Sequence, residues 1–149
     1  MATTPLPRDF KEFLRLLNEK KVEYLVVGGY AVAFHGYPRP TGDLDIWIAV
    51  HPKNIDGVVE VLREFGFGGD DTSKDVFTKP GVIIRMGVPP VRIELQTRIS
   101  GVSFEECYQH RIVGDFDGEP VNLIDLDHLK QNKRAAGRNK DLADLENLP

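Results

Sequence analysis

Two aspartates separated by one residue are the side chains of this sequence best placed to do chemistry. Asp43 and Asp45 alternate with the apolar residues Leu44, Ile46 and Ile48. Because strand side chains alternate between two faces, the pattern predicts a strand with both carboxylates on one face, Cα atoms about 6.5 Å apart. Two like charges on an otherwise apolar strand are costly unless a cation neutralises them. Mg²⁺, which prefers oxygen ligands, water and substrate phosphates, is the predicted cation.

A glycine pair upstream of the aspartates predicts a second part of the same site. Residues 24–27 are apolar and β-branched, as in a buried strand, and Gly28 and Gly29 allow a sharp turn before a helix over residues 30–35. Such a turn directs free backbone amides toward an anion. The alternative is a tight turn that only permits close helix packing.

The turn at residues 37–42 delivers the chain into the acidic strand and carries Arg39 between two prolines. Because proline restrains the backbone on both sides, the guanidinium can be aimed with little loss of entropy. An arginine beside a metal–phosphate site can clamp phosphate oxygens in a bidentate way. The alternative is a surface arginine that pairs with Asp43, and the residues alone leave both open.

A third carboxylate lies in the centre of a later strand, predicted over residues 91–97. There Glu94 alternates with apolar residues and shares a face with Arg92. A carboxylate centred in such a strand indicates a function. The alternative is that Glu94 forms a salt bridge with Arg92 or Arg85 on an exposed face of the sheet.

The elements that position these residues follow from hydrophobic periodicity and turn signals. An amphipathic first helix carries Phe10 and Leu17, and a further helix begins at Pro52 and ends at Gly66. The loop that follows contains Asp70 and Asp71, which are more typical of solvated acids than of metal ligands. The remaining predicted elements are strands at 75–78 and 82–86, a short helix over 101–110, a hairpin of 111–116 with 121–123, a helix over 125–136, and a last helix from residue 140 or 141.

The C-terminal stretch concentrates positive charge in an otherwise acidic chain, at Lys130, Lys133, Arg134, Arg138 and Lys140. Spacings of three and four residues place part of this charge on one helical face. The cluster predicts an anionic ligand. An ordinary solvated helix is the alternative for any single residue in it.

Composition sets ordinary bounds on the protein. At 149 residues, with 41% hydrophobic and 28% charged residues, the sequence predicts one globular domain. A net charge of −4 argues against nonspecific binding to nucleic acid, which depends on Lys and Arg. Cys107 is the single cysteine, so an intramolecular disulfide is excluded. With no signal-peptide pattern and no apolar run near 20 residues, we expect a cytoplasmic protein and no membrane partner.

The glycine pair, the short helix and Asp43-Leu44-Asp45 together resemble the active-site signature of the DNA polymerase β-like nucleotidyltransferase superfamily. The stretch 28–48 resembles its small bacterial branch, related to minimal nucleotidyltransferases and AbiEii-type toxin proteins, and KDLADL at 140–145 resembles a motif of AbiEii-type proteins. The resemblance implies an α/β (α+β) nucleotidyltransferase fold, with a mixed twisted sheet flanked by helices. It covers residues 1–149 as a single domain, with C-terminal basic helices at 130–149.

The resemblance also implies residue roles. Asp43, Asp45 and Glu94 would bind metal and act in catalysis, although a glutamate at position 94 departs from the expected aspartate. Asp141 would support the site or accept a proton. The residues that would bind nucleotide or phosphate are Gly28, Gly29, Arg39, Thr41, Lys130, Lys133, Arg138 and Lys140.

The implied activity is Mg²⁺-dependent transfer of a nucleoside monophosphate from an NTP such as ATP to a hydroxyl acceptor, with release of pyrophosphate. Two Mg²⁺ ions would stabilise the attacking and leaving oxygens. The acceptor would be a protein side chain, a tRNA end or a small molecule, and a cognate partner protein is expected if the chain belongs to a toxin–antitoxin pair. The alternative is a catalytically inactive module of the same fold that binds a nucleotide or a partner protein.

Overall fold

The computed structural model describes residues 6–67, 74–88 and 90–149, so that Asp70 and Asp71 lie outside the described residues. The helices are α1 (Arg8–Glu19), α2 (Gly28–Phe34), α3 (Pro52–Glu64), α4 (Phe104–Gln109), α5 (Leu126–Ala136) and α6 (Asn139–Asn147), with a 3₁₀ helix at Lys74–Thr78. The strands are β1 (Tyr24–Val27), β2 (Asp43–Ile48), β3 (Ile83–Val88), β4 (Val91–Gln96), β5 (Ile112–Phe116) and β6 (Glu119–Leu123).

The described strands form one mixed sheet in the order β3-β4-β2-β1-β6-β5. The acidic strand β2 lies inside this sheet, antiparallel to β1 and parallel to β4. Its register with β4 places Asp43 opposite Arg92, and Asp45 opposite Glu94. Because directly opposed residues share a face, the pairing brings the three carboxylates onto the same side of the sheet.

The other face of β2 and β4 belongs to the hydrophobic core. Leu44, Ile46, Ile93 and Leu95 are buried there and join one cluster with the apolar stripes of α1 and α3. The alternation of apolar and polar residues that predicted these strands therefore corresponds to a buried and a partly solvated face. Among the described helices, none is long and apolar enough to cross a membrane.

Several sequence predictions are confirmed, and they are those with strong local signals. Strand β1 has the predicted bounds, β2 carries both aspartates, and the β5–β6 hairpin forms. Asp125 accepts a hydrogen bond from the backbone N–H of His128 at the start of α5. Gly137 ends that helix with φ of 64°, a left-handed conformation that favours glycine.

Two predictions are wrong. Residues 75–78 belong to a 3₁₀ helix, in which the Thr78 hydroxyl donates to the Asp75 carbonyl at 2.7 Å and closes a turn. Gly87 and Val88, predicted as a connection, extend β3 because they pair with Arg92 and Val91. Sheet pairing thus overrides the local turn signal at this position.

Leu44→Ala tests how far the core determines the acidic strand. Leu44 is fully buried between Asp43 and Asp45, so the truncation leaves a cavity and lowers the free energy of unfolding by about 2–5 kcal/mol. Leu142→Ala, at an exposed position, changes it by at most about 0.5 kcal/mol. Urea denaturation of both variants measures the difference, and equal effects would contradict the assignment of Leu44 to the core.

Candidate active site

Three carboxylates lie together on one face of β2 and β4. Asp45 is directly opposite Glu94 in the strand register, and Asp43 lies two residues before Asp45. Burial, then repulsion from Glu94 and Asp43, raises the pKa of Asp45 from 3.8 to about 7, while Lys140 opposes the rise. The cluster therefore carries more negative charge than its surroundings offset.

Two arginines make ion pairs with this cluster. Arg92 donates from Nη2 to Asp43 Oδ2 at 2.8 Å and lies 3.4 Å from Glu94 Oε1. Arg85 donates from Nε to Glu94 Oε1 at 2.9 Å. Both salt bridges considered for Glu94 from the sequence are therefore present. Across the described ranges, no three His, Cys, Asp or Glu side chains are arranged to hold a metal ion as they stand.

The donor set nevertheless fits Mg²⁺. All three side chains offer carboxylate oxygens, the ligands that a hard cation prefers. Burial, and then the neighbouring Glu94 and Asp43, raise the pKa of Asp45, so its ionised form is disfavoured and a bound cation would relieve that cost. Arg92 Nε is buried without a hydrogen-bond partner, so the guanidinium is incompletely satisfied in its position beside Asp43. A cation would be held by Asp43, Asp45 and Glu94 once the arginines shift.

The glycine pair is required by the close approach of the acidic strand and the preceding turn. A Cβ on Gly28 would lie 2.1 Å from Asp45 Oδ2, and the φ of Gly28 is +67°. A Cβ on Gly29 would lie 2.3 Å from Thr41 Oγ1 and 3.4 Å from Arg39 Nη1. The glycines therefore permit the close packing of α2 that the sequence offered as an alternative, and this packing brings α2 against Asp45, Thr41 and Arg39.

A cleft of about 480 Å³ opens beside Gly28 and Asp45. Three of the residues predicted to bind nucleotide or phosphate line it, namely Gly28, Lys133 and Arg138. The sequence analysis missed other polar residues of its wall, which are Gln96, Arg98, Ser100 and Asn132. A signal for Arg98 was available, because positions 92, 94, 96 and 98 continue the alternation of β4.

A network of buried charges lies behind the cleft. Lys133 contacts Asp141 at 3.2 Å and Asp144 at 3.0 Å, and these three side chains are at most 5% exposed. Arg39 donates from Nε and Nη2 to the two oxygens of Asp144, at 2.8 and 2.9 Å. Arg138 donates from Nε to Asp141 at 2.7 Å. The network ties α5 and α6 to the turn at residues 37–42.

This network gives Arg39 a partner that neither alternative from the sequence named. Arg39 pairs with Asp144, not with Asp43 as the surface alternative held. Burial alone would raise the pKa of Asp141, but Arg138 and Lys133 outweigh it and hold that pKa below its usual range. Asp144, which the sequence analysis did not select, is held below its usual pKa in the same way, with Arg39 and Lys133 outweighing burial. Asp141 contacts Lys133 and Arg138, and its role in the site stays a prediction.

The cations of the C-terminal cluster have different surroundings. Lys133 is buried within the network, whereas Lys130 donates to the carbonyl of Pro149. Arg138 is largely exposed at the cleft, and Lys140 is exposed and close enough to Asp45 to influence its pKa. Part of the positive charge is thus matched by Asp141 and Asp144 of the same chain, and Arg138 and Lys140 are exposed cations that interact electrostatically with Asp45.

Comparisons with known proteins support the fold. No protein family model matches the sequence, and no curated protein matches it. A crystal structure of a Thermotoga maritima protein, described as "a putative nucleotidyltransferase", is similar with a TM-score of 0.61 at 16% identity. The alignment covers 93% of this chain and 89% of that chain. The predicted nucleotidyltransferase fold, a mixed sheet flanked by helices, is therefore confirmed.

Lys133→Met tests the buried network. The change leaves Asp141 and Asp144 buried without their shared cation, and we expect the free energy of unfolding to fall by about 3–5 kcal/mol at pH 7. Because both aspartates have lowered pKa values, their stabilising effect is present above 3.8 and is lost as the pH falls below it. The deficit should accordingly shrink at pH 3. Lys130→Met, as the matched control, should cost at most about 1 kcal/mol, and equal losses in both variants would refute the network.

Asp45→Asn tests the crowding of carboxylates. The pKa of Asp45 is raised to about 7 in the folded protein, so the folded state holds this proton to a higher pH than the unfolded state does. The free energy of unfolding of the wild type therefore falls as the pH rises from about 4 to about 7. Asp45→Asn should therefore gain stability relative to wild type between pH 4 and pH 7, by about 1.4 kcal/mol for each pH unit of that interval. Thermal melts at both pH values measure this gain. Asp56→Asn, at an exposed ion pair, should show no such pH dependence.

Proposed function

We propose that this protein transfers a nucleoside monophosphate from an NTP to a hydroxyl acceptor, with Asp43, Asp45 and Glu94 binding Mg²⁺. The observation that carries the proposal is the juxtaposition of these three carboxylates, on adjacent strands beside Gly28, at the edge of a cleft. The nucleotidyltransferase fold supports it independently. A structural protein has no physical need to gather like charges in this way.

The residues of the site suit the charge changes of this reaction. The acceptor oxygen forms a bond to the α-phosphorus, the bond to the bridging oxygen breaks, and pyrophosphate leaves with the electron pair. The proton of the acceptor hydroxyl passes to Glu94, by the role that the resemblance assigns to it. Bound Mg²⁺ would supply neutralisation of the phosphate oxygens and of the leaving group.

Cations around the cleft would bind the triphosphate. Arg138 and Lys140 are exposed and interact electrostatically with Asp45, so they can reach phosphate oxygens without leaving the surface. Lys133 lines the same cleft but is bound to two aspartates, and we assign it to fixing the wall. Arg39 and Thr41 flank Gly29, and Arg39 orients the turn through Asp144.

An inactive module of the same fold is the second candidate function. The observation that favours it is that Arg92 and Arg85 already pair with Asp43 and Glu94. Such a module would bind a nucleotide or a partner protein, for example in a toxin–antitoxin pair, without transferring a nucleoside monophosphate.

Calorimetry with each of the four NTPs, with and without Mg²⁺, tests the proposal. We expect Mg²⁺-dependent binding that weakens at least about tenfold in Asp43→Asn, equivalent to about 1.4 kcal/mol, because the cation loses a charged ligand. Asp56→Asn is the charge-matched control and should bind as wild type does. Binding of NTP that is independent of both Mg²⁺ and Asp43 would favour the inactive module.

Transfer itself requires a labelled NTP and candidate acceptors of each class. Wild type should label a protein, an RNA or a small molecule, and the double variant Asp43→Ala, Asp45→Ala should label none. If the double variant transferred label as well as wild type, the site would be wrong. An RNA acceptor is distinguished by affinity that falls steeply with added salt, because its binding releases counterions.

A further inference from the structure

Arg92 lies in an unusual position within the acidic cluster. A single nitrogen, Nη2, lies 2.8 Å from Asp43 Oδ2 and 3.4 Å from Glu94 Oε1. These oxygens belong to two of the three carboxylates on neighbouring strands of the sheet. The positive charge of Arg92 is therefore centred between two groups that would have to share a cation.

We infer that Arg92 is a displaceable counter-cation: its guanidinium lies where a divalent cation would bind between Asp43 and Glu94, so that the two compete. Displaced from these carboxylates, Arg92 becomes a phosphate ligand at the same site. The inference rests on the proposed function, in that it takes the carboxylates to be the cation site.

The surroundings of Arg92 distinguish it from a structural ion pair. Arg92 and Asp43 are each 29% exposed, whereas Lys133 and its aspartates are at most 5% exposed. Partly exposed pairs are screened by water and contribute little to stability, so a small rearrangement can break them. Arg92 Nε, buried without a partner, gains a hydrogen bond only if the side chain moves or a new acceptor arrives.

Charge balance explains why displacement is productive. A divalent cation brings twice the charge of the guanidinium to carboxylates whose mutual repulsion is incompletely offset. The freed guanidinium presents a planar set of donors that matches two phosphate oxygens. Binding of the cation and binding of a polyphosphate are then coupled positively, and by linkage each strengthens the other by the same factor.

The experiment measures Mg²⁺ alone, and then tripolyphosphate with and without Mg²⁺, by calorimetry on the full chain. Arg92→Gln removes the competing charge, so Mg²⁺ should bind roughly fivefold more tightly or better, while the coupling to tripolyphosphate falls by a similar factor. Arg92→Lys keeps the charge but loses the planar guanidinium. Its Mg²⁺ affinity should stay near that of wild type, and its coupling between Mg²⁺ and tripolyphosphate should be weaker. Arg15→Gln, which removes an equal charge from α1, should change neither constant.

In Arg92→Gln, tighter Mg²⁺ binding together with a smaller coupling to tripolyphosphate would support the inference. A merely structural role of Arg92 would weaken both the Mg²⁺ binding and the coupling. An unchanged or weaker Mg²⁺ affinity in Arg92→Gln would overturn it. If wild type binds Mg²⁺ and Arg92→Gln binds it no more tightly, the proposed function stands and this inference fails. If wild type binds no Mg²⁺, both fail. Circular dichroism checks folding, and should Arg92→Gln not fold, unchanged coupling in Arg92→Lys would overturn the inference.

Discussion

Repulsion between carboxylates on neighbouring strands is the constraint on which this structure depends. The parallel register of β2 and β4 places Asp45 opposite Glu94, at a distance where two charges cannot both be ionised without cost. Burial first, and repulsion from Glu94 and Asp43 second, raise the pKa of Asp45. The surrounding structure offsets the repulsion with Arg92 and Arg85 on one side and with the cations of α5 and α6 on the other. Opposite charges on neighbouring elements thus surround the three carboxylates.

The C-terminal helices provide a rigid wall for this site. Arg39, Lys133 and Arg138 share two buried aspartates, and each carboxylate has at least two cationic partners. Removal of any one partner would leave a buried aspartate with less compensating charge, and the pair of Arg39 with Asp144 holds the turn at residues 37–42 against α6. That turn packs on Gly29 and leads directly into Asp43. An ion pair with a residue far along the chain therefore holds the turn that precedes the acidic strand.

One fold can host many functions, so the function of this protein has to be inferred from the residues of its site. The Thermotoga maritima structure shares the fold at 16% identity, and so most side chains differ between the two chains. The proposed nucleotidyl transfer therefore rests on the carboxylates, glycines and exposed cations of this chain. The solved structure supports the fold and not the AbiEii-type branch expected from the motifs of residues 28–48 and 140–145.

Local sequence signals determined the strand with Asp43 and Asp45, the glycine pair where β1 gives way to α2, and the helix Leu126–Ala136 with its caps Asp125 and Gly137. These depend on alternation, capping and backbone freedom within a few residues, so the sequence expresses them directly. Only the tertiary structure decided the partner of each charge. Arg39 meets Asp144 across 105 positions of sequence, and Arg92 meets Asp43 across 49. Periodicity assigns a residue to a face of its own element, but the packing of distant elements decides which charge that face meets.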